Sequence, residues 1–210
     1  MQTTIWQGIG IGFAIAAPVG PIGMLCIRRT LSDGRLVGLA TGLGAATADA
    51  LYGLVAALGL GALTSLLLSH ADLLRLAGGA LLIWLGVASL RRAARGAVAK
   101  AAPVSARGLI SAYATTVALT LANPATILSF LGVIAALSGA DALSGGMLLV
   151  AGVFVGSSAW WLLLVSAVGL LRHALPDRVL PWIEASSGLV LAGFGASTIF
   201  YVLRSFITLP

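Results

Sequence analysis

Long apolar runs separated by short polar breaks set the pattern of this chain. The runs are Ile5 to Ile27, Leu36 to Leu60, Leu73 to Leu90, Leu109 to Leu137, Gly145 to Leu171 and Trp182 to Leu203. The second continues apolar as far as Leu68. Roughly 20 apolar residues suffice for a helix to cross a hydrocarbon core about 30 Å thick, so the pattern predicts six membrane-spanning helices. Two of the runs are interrupted near their middles, the first by Pro18-Val19-Gly20-Pro21 and the fourth by Asn123-Pro124. Proline removes a backbone donor and clashes with the preceding turn, which breaks or kinks a helix. Lipid does not tolerate unsatisfied backbone groups, so such breaks belong inside the protein or beside a cavity.

Composition agrees with this reading. Of 210 residues, 60% are hydrophobic and 9% charged, and the mean hydropathy is +1.09. Soluble domains carry about 25% charged residues, so the chain is an integral membrane protein without a hidden soluble domain. The formal net charge of +6 sits in the connectors, where it sets orientation, and no nucleic-acid-binding motif accompanies it. Ten basic residues flank one set of ends: Arg28, Arg29, Arg35, Arg91, Arg92, Arg95, Lys100, Arg107, Arg172 and Arg178. Only Arg75 and Arg204 lie on the other. The first set is therefore expected in the cytoplasm, with both termini periplasmic and the 91–108 connector cytoplasmic. A lone cysteine, Cys26, excludes an intramolecular disulfide and a two-thiol relay. The first run is long enough to span, and no basic segment precedes it, which argues against a cleaved signal peptide.

The breaks fall at matching places. Spans one to three (about 1–91) and four to six (about 109–210) each form a set of three, and an odd number reverses orientation between halves. Pro18 matches Pro124, and the seven-residue spacing of Gly79 and Gly86 recurs in Gly188 and Gly195. The expected architecture is a single all-α membrane domain of two inverted three-helix repeats, with helices 1 and 4 broken at their prolines. Inverted repeats with discontinuous helices are a transporter design in which substrate binds at the breaks.

Several motifs, taken in order, carry a resemblance. They are Ala17-Pro18-Val19-Gly20-Pro21, Arg28 to Arg35, Gly42-Leu43-Gly44 with Ala48-Asp49, Trp84-Leu85-Gly86 and Asn123-Pro124. With these, the sequence resembles the lysine exporter (LysE/RhtB-type) family of amino-acid translocators over nearly its whole length. The resemblance implies a bacterial inner-membrane exporter of amino acids or similar metabolites, driven by an ion gradient. Val19 is inserted where the family often reads Pro-Gly-Pro, and Ala125-Thr126 follows Asn123-Pro124 where many members carry Lys or His. Those departures leave the substrate open.

Asp49 is the sharpest candidate. A carboxylate at a helix centre costs about 2.5–3.5 kcal/mol on insertion scales, so such residues face the interior and have a role. At helical spacing Asp49 shares a face with Gly42, Ala45, Ala46, Tyr52 and Gly53, and it is the expected proton-coupling group. Pro18, Gly20, Pro21, Asn123, Pro124 and Thr126 form the second constellation. A half-helix that starts at a break presents free N–H groups and a positive dipole end, suited to a substrate carboxylate. Thr116, Thr120 and Asn123 make a polar stripe that lines a path or hydrogen-bonds back to the backbone. Trp160 is a candidate to gate or stack on ligand, against the reading that one of Trp160 and Trp161 packs while the other meets lipid. The expected substrate-binding set is thus Pro18, Gly20, Pro21, Asp49, Tyr52, Thr120, Asn123, Pro124, Thr126 and Trp160.

Arg28 and Arg29 read as topology anchors, against the reading that they meet leaving substrate at the cytoplasmic mouth, and Glu184 reads as interfacial. Gly-x-x-x-Gly pairs such as Gly38 with Gly42 serve helix contacts or a homodimer equally well. No phosphate-binding loop is present, so energy comes from protons or another coupling ion. His70 and His173 lie in connectors without ligand spacing. No metal site and no cofactor is expected. Other readings are a metal or inorganic-ion exporter and a non-transporting structural subunit. An intramembrane enzyme would need a histidine or second acid beside Asp49.

Overall fold

The computed structural model describes residues 2–18, 20–57, 69–95, 105–123, 126, 129–130, 132, 146–172 and 174–207. Among them the regular structure is helical throughout. The helices are α1 (Gln2–Ala16), α2 (Pro21–Ser32), α3 (Arg35–Ala57), α4 (Ala71–Ala94), α5 (Ala106–Leu121), α6 (Gly146–Leu171) and α7 (Leu180–Ile207). A 3-10 turn, Asp177–Val179, precedes α7. Helices α3, α4, α6 and α7 are each long and apolar enough to cross a membrane, and α1 with α2 makes a fifth, bent candidate. Pro124, Lys100, Asp141, His173 and the 58–68 continuation of the second run lie outside the described residues.

The first break is a true interruption. Proline at 18 disfavours helical backbone at Ala17, and α1 ends at Ala16. Gly20 then takes the N-cap position in extended conformation and Pro21 opens α2, where its missing N–H is no loss. Between Thr4–Ala16 and Pro21–Ser32 the helix axis turns by 80°. At the second break α5 stops at Leu121, with Ala122 as C-cap. Helix therefore ends just short of both proline motifs.

Helix α1 packs along α6, α3 against both α6 and α5, and α4 along α7, while α2 crosses between α3 and α7. Glycines carry two of these contacts. A Cβ on Gly8 or Gly12 would strike the α6 backbone at Leu149 or Val153, and one on Gly152 or Gly156 would strike α1 at Ile5 or Ile9. Gly10, by contrast, faces open space. In the second seam Gly79 meets Gly195 and Gly86 meets Gly188, an order that makes α4 and α7 antiparallel. The glycine spacing shared by spans three and six is thus the spacing of one mutual interface. Close backbone approach lets dispersion hold helices together where lipid supplies no hydrophobic drive. Gly38 and Gly42 face Thr30 and Trp161 of the same chain, so these two glycines serve internal helix contacts.

Helix α2 runs on to Ser32, beyond the expected end of the first span. Arg28 and Arg29 consequently lie within a helix and are 2% and 7% exposed, rather than standing in a connector as anchors. Glu184, expected at the interface, is 2% exposed because it faces Arg28 at 3.5 Å. An acid that partners a buried cation needs no contact with water.

Candidate functional site

Asp49 projects from the middle of α3 and is 3% exposed. Small neighbours on its face, Ala45, Ala46, Ala48 and Gly53, are also buried, which lets the facing helices close in. Ser157 of α6 donates to its Oδ2 at 2.7 Å, and the Trp161 indole N–H donates to Ser157 Oγ at 3.2 Å. One turn separates Ser157 from Trp161, so a single face of α6 holds the carboxyl in place. No further hydrogen bond reaches Asp49 among the described residues.

A cavity of about 50 Å³ adjoins Asp49, lined also by Pro18 and Gly20 to Gly23, by Thr120, Asn123 and Thr126, and by Trp161. It lies where the two helix breaks meet. No side chain caps the N-terminus of α2, so its first turn presents backbone donors and the positive end of the helix dipole at the cavity. Thr120 Oγ1 is buried without a hydrogen-bond partner among the described residues. Thr116 of the same stripe turns elsewhere, donating to Ala112 O at 2.8 Å and accepting from Arg29. A larger cavity of about 680 Å³ shares Ile15, Pro18, Gly20, Pro21, Ile22, Asn123 and Thr126 with the small one and extends to Arg75, Thr198 and Tyr201. The two adjoin across those shared residues, the larger lying on the Arg75 side of the breaks.

Toward the other end the recess is closed. Leu25, Cys26, Ala45, Leu85, Leu119 and Trp161 pack in one buried cluster. Beyond them Arg29 Nη1 donates to Thr41 Oγ1, Ala112 O and Thr116 Oγ1, each at 3.1 Å, tying α2 to α3 and α5. Arg28 pairs with Glu184, and Ser89 Oγ donates both to the Glu184 carboxylate and to its carbonyl oxygen.

The candidates named from sequence thus divide. Pro18, Gly20, Pro21, Asp49, Thr120, Asn123 and Thr126 converge on the small cavity. Tyr52 lies near but does not line it; its hydroxyl donates to Leu121 O at 2.6 Å and its ring stacks on Phe130. Trp160 packs edge-on against Phe13, and its neighbour Trp161 is the tryptophan at the cavity. Ser157 was not singled out. Its place one turn before Trp161 was legible, yet serines that merely hydrogen-bond the backbone look the same in sequence.

The LysE type translocator family matches residues 13–201. The chain belongs to that family. It is also 31% identical over 153 residues to the "Uncharacterized membrane protein YahN" of Escherichia coli (strain K12), covering 69% of this chain and 65% of that one. It is 28% identical over 195 residues to the "Putative amino acid efflux protein YcgF" of Bacillus subtilis (strain 168), covering 89% of this chain and 90% of that one. The chain thus spans just under two thirds of the first relative's length and nine tenths of the second's. No solved structure matches. The chain is a multi-pass membrane protein of apolar helices, and Asp49 is a buried carboxyl at its helix breaks.

Proposed function

We propose that the chain is a secondary active exporter of amino acids or similar small zwitterions across the bacterial inner membrane, coupled to protons or another ion through Asp49. The observation that carries the reading is the meeting of a buried carboxyl with the uncapped start of α2 around one cavity. A zwitterion needs both poles answered: the carboxyl takes its ammonium, and the α2 backbone donors take its carboxylate. The cavity of about 50 Å³ at Asp49 has room for a small polar group such as an ammonium. The adjoining 680 Å³ receives the rest of the molecule, within the range of about 300–1,000 Å³ usual for small-molecule sites. Thr120 Oγ1 offers a further polar contact. Metal-ion export has less to draw on, because among the described residues one carboxylate and no histidine or cysteine lines the Asp49 cavity.

Two inverted repeats, about 1–91 and 109–210, make sense of the contacts. A two-fold axis in the membrane plane exchanges α1 with α5, α3 with α6 and α4 with α7. The α1–α6 contact then maps onto α5–α3, and the α4–α7 and α3–α6 contacts map onto themselves; all four are present. Alternating access follows as one repeat rocking on the other, with the recess here reached from the periplasmic side and the Arg28–Arg29 end closed. The basic ends of the helices face the cytoplasm.

Purified protein in proteoliposomes loaded with radiolabelled amino acids, with a proton gradient imposed, tests the reading. Wild type is expected to release at least one of them in a gradient-dependent way. Asp49→Asn is expected to fold and to lose coupled release. Gradient-driven release undiminished in Asp49→Asn would remove that residue from coupling. Absence of any flux from intact wild type would favour a structural subunit.

A further inference from the structure

The end of α2 opposite the Asp49 cavity borders a second, separate cavity of about 400 Å³. It shares no lining residue with the Asp49 cavity. Its charged lining is Arg28, Arg29, Arg92 and Asp33. Arg28 and Arg92 are answered by Glu184 at 3.5 and 3.9 Å. Arg29 is not: among the described residues it has no ion-pair partner, and its three hydrogen bonds all leave from Nη1 toward neutral oxygens. Its Nε and Nη2 carry no hydrogen bond among the described residues, and the side chain lines the cavity. Arg28 Nε is buried without a partner.

A guanidinium only 7% exposed, which feels Asp33 through space but has no carboxylate in ion-pair contact among the described residues, is costly to bury unless an anion visits it. The surroundings suit one. Helix α5, 16 residues long, begins at this cavity, with Ser105 as N-cap and Gly108, Ser111 and Ala112 on the wall. Its dipole adds positive potential at the same place. Planar, fork-shaped donors that stay charged are the residue type for binding a carboxylate in two contacts. Trp84, Leu85 and Ala88 supply an apolar wall for the remainder of a small molecule.

We propose that this cavity is an anion site in which Arg29 holds the carboxylate of a small organic acid or amino acid on the cytoplasmic side, ahead of the Asp49 cavity. The identity of the anion as outgoing substrate rests on the export reading; the site itself does not. From Arg29 to Ile22, at the Asp49 cavity, is seven residues of one helix, about 10 Å at 1.5 Å per residue. A carboxylate released by Arg29 is thus one short step from the α2 N-terminus. The three bonds that Arg29 makes to α3 and α5 give the binding event a lever on the closed end. Occupying the guanidinium's free face competes for its orientation.

The test is propionate binding to the full-length protein in phosphatidylcholine nanodiscs, read as a saturable rise in thermal unfolding midpoint at constant ionic strength, with propionamide as neutral control. Wild type is expected to respond to propionate and not to propionamide. Arg29→Gln is expected to lose the response. Asp33→Asn, which deletes the one lining carboxylate, is expected to lower the half-saturating concentration roughly fivefold. Misfolding cannot imitate that tightening, so Asp33→Asn decides the matter if Arg29→Gln does not fold. No response in wild type, a response indifferent to both substitutions, or stabilisation by phosphatidylglycerol alone without competition from propionate would overturn the proposal. The last outcome would assign the guanidinium to a lipid headgroup. Flux is measured separately: propionate binding without export of any amino acid would sink the export reading and leave the anion site. Export with an unchanged KM in Arg29→Gln would sink its role in loading.

Discussion

Tyr52 of α3 donates its hydroxyl to the carbonyl oxygen of Leu121, the last residue of α5. A helix end leaves four carbonyls without intrahelical partners, and in a membrane interior water does not serve them all. Tyr52 answers one of them, and its ring stacks on Phe130, beyond the break, with centroids 5.5 Å apart. One side chain therefore braces both sides of the second interruption. Tyr52→Phe should keep the stack and lose the hydrogen bond, at a cost of about 1–3 kcal/mol for a buried acceptor left unsatisfied. Equilibrium unfolding in mixed micelles measures this, and an unchanged stability would show that Leu121 finds another donor.

Ser157 is expected to matter through Asp49. Ser157→Ala removes the hydrogen bond to Oδ2 and leaves the Trp161 indole without its acceptor. The carboxyl then turns more freely in a cavity that needs it fixed. Gradient-driven efflux should fall about tenfold, the equivalent of about 1.4 kcal/mol, with folding preserved. Ser157→Thr, which keeps the hydroxyl, should recover part of it. Equal loss in both variants would point to packing at α6 instead.

The breaks, the polar face of α3 and the seven-residue glycine spacing were all legible in the chain, because proline, glycine and intramembrane carboxylate each have one strong local meaning. Arg28, Arg29 and Glu184 were misplaced for the opposite reason. An arginine at the end of an apolar run looks the same whether it meets water or folds back onto an acid 156 residues away. The choice between Trp160 and Trp161 was lost similarly, since adjacent residues differ by about 100° around a helix and only the partner helices decide which faces inward. Tyr52 shared the face of Asp49 as expected, yet sequence gave no sign that its hydroxyl would close the end of another helix.

Glycine seams predict sharp positional contrast. A Cβ on Gly86 would lie 2.6 Å from Gly188 O and 2.7 Å from Ala192 N, while one on Gly10 meets nothing within 4 Å. Gly86→Ala should therefore push α4 off α7 and cost about 1–3 kcal/mol, as overpacking does. Gly10→Ala should cost nothing and gain slightly from helix propensity. Thermal unfolding of the two variants side by side checks this. Similar midpoints for both would mean that the α4–α7 seam has slack the structure does not show.

The buried charges at the closed end should behave as a unit. Glu184 faces Arg28 at 3.5 Å and Arg92 at 3.9 Å and accepts from Ser89, linking α2, α4 and α7. Glu184→Gln leaves Arg28 in the interior without its counter-charge, and breaking one partner of a buried pair typically costs about 3–5 kcal/mol. Replacing both, as Arg28→Met with Glu184→Met, removes the desolvation cost together with the attraction and should be much milder than either single change. The double variant also unties α2 from α7. If this contact holds that end shut, the double variant should react faster than wild type with a bulky thiol reagent at Cys26, which is buried with the cluster that closes the recess. Unchanged labelling with restored stability would make the pair a packing element and place the closure on Arg29 and its three oxygens.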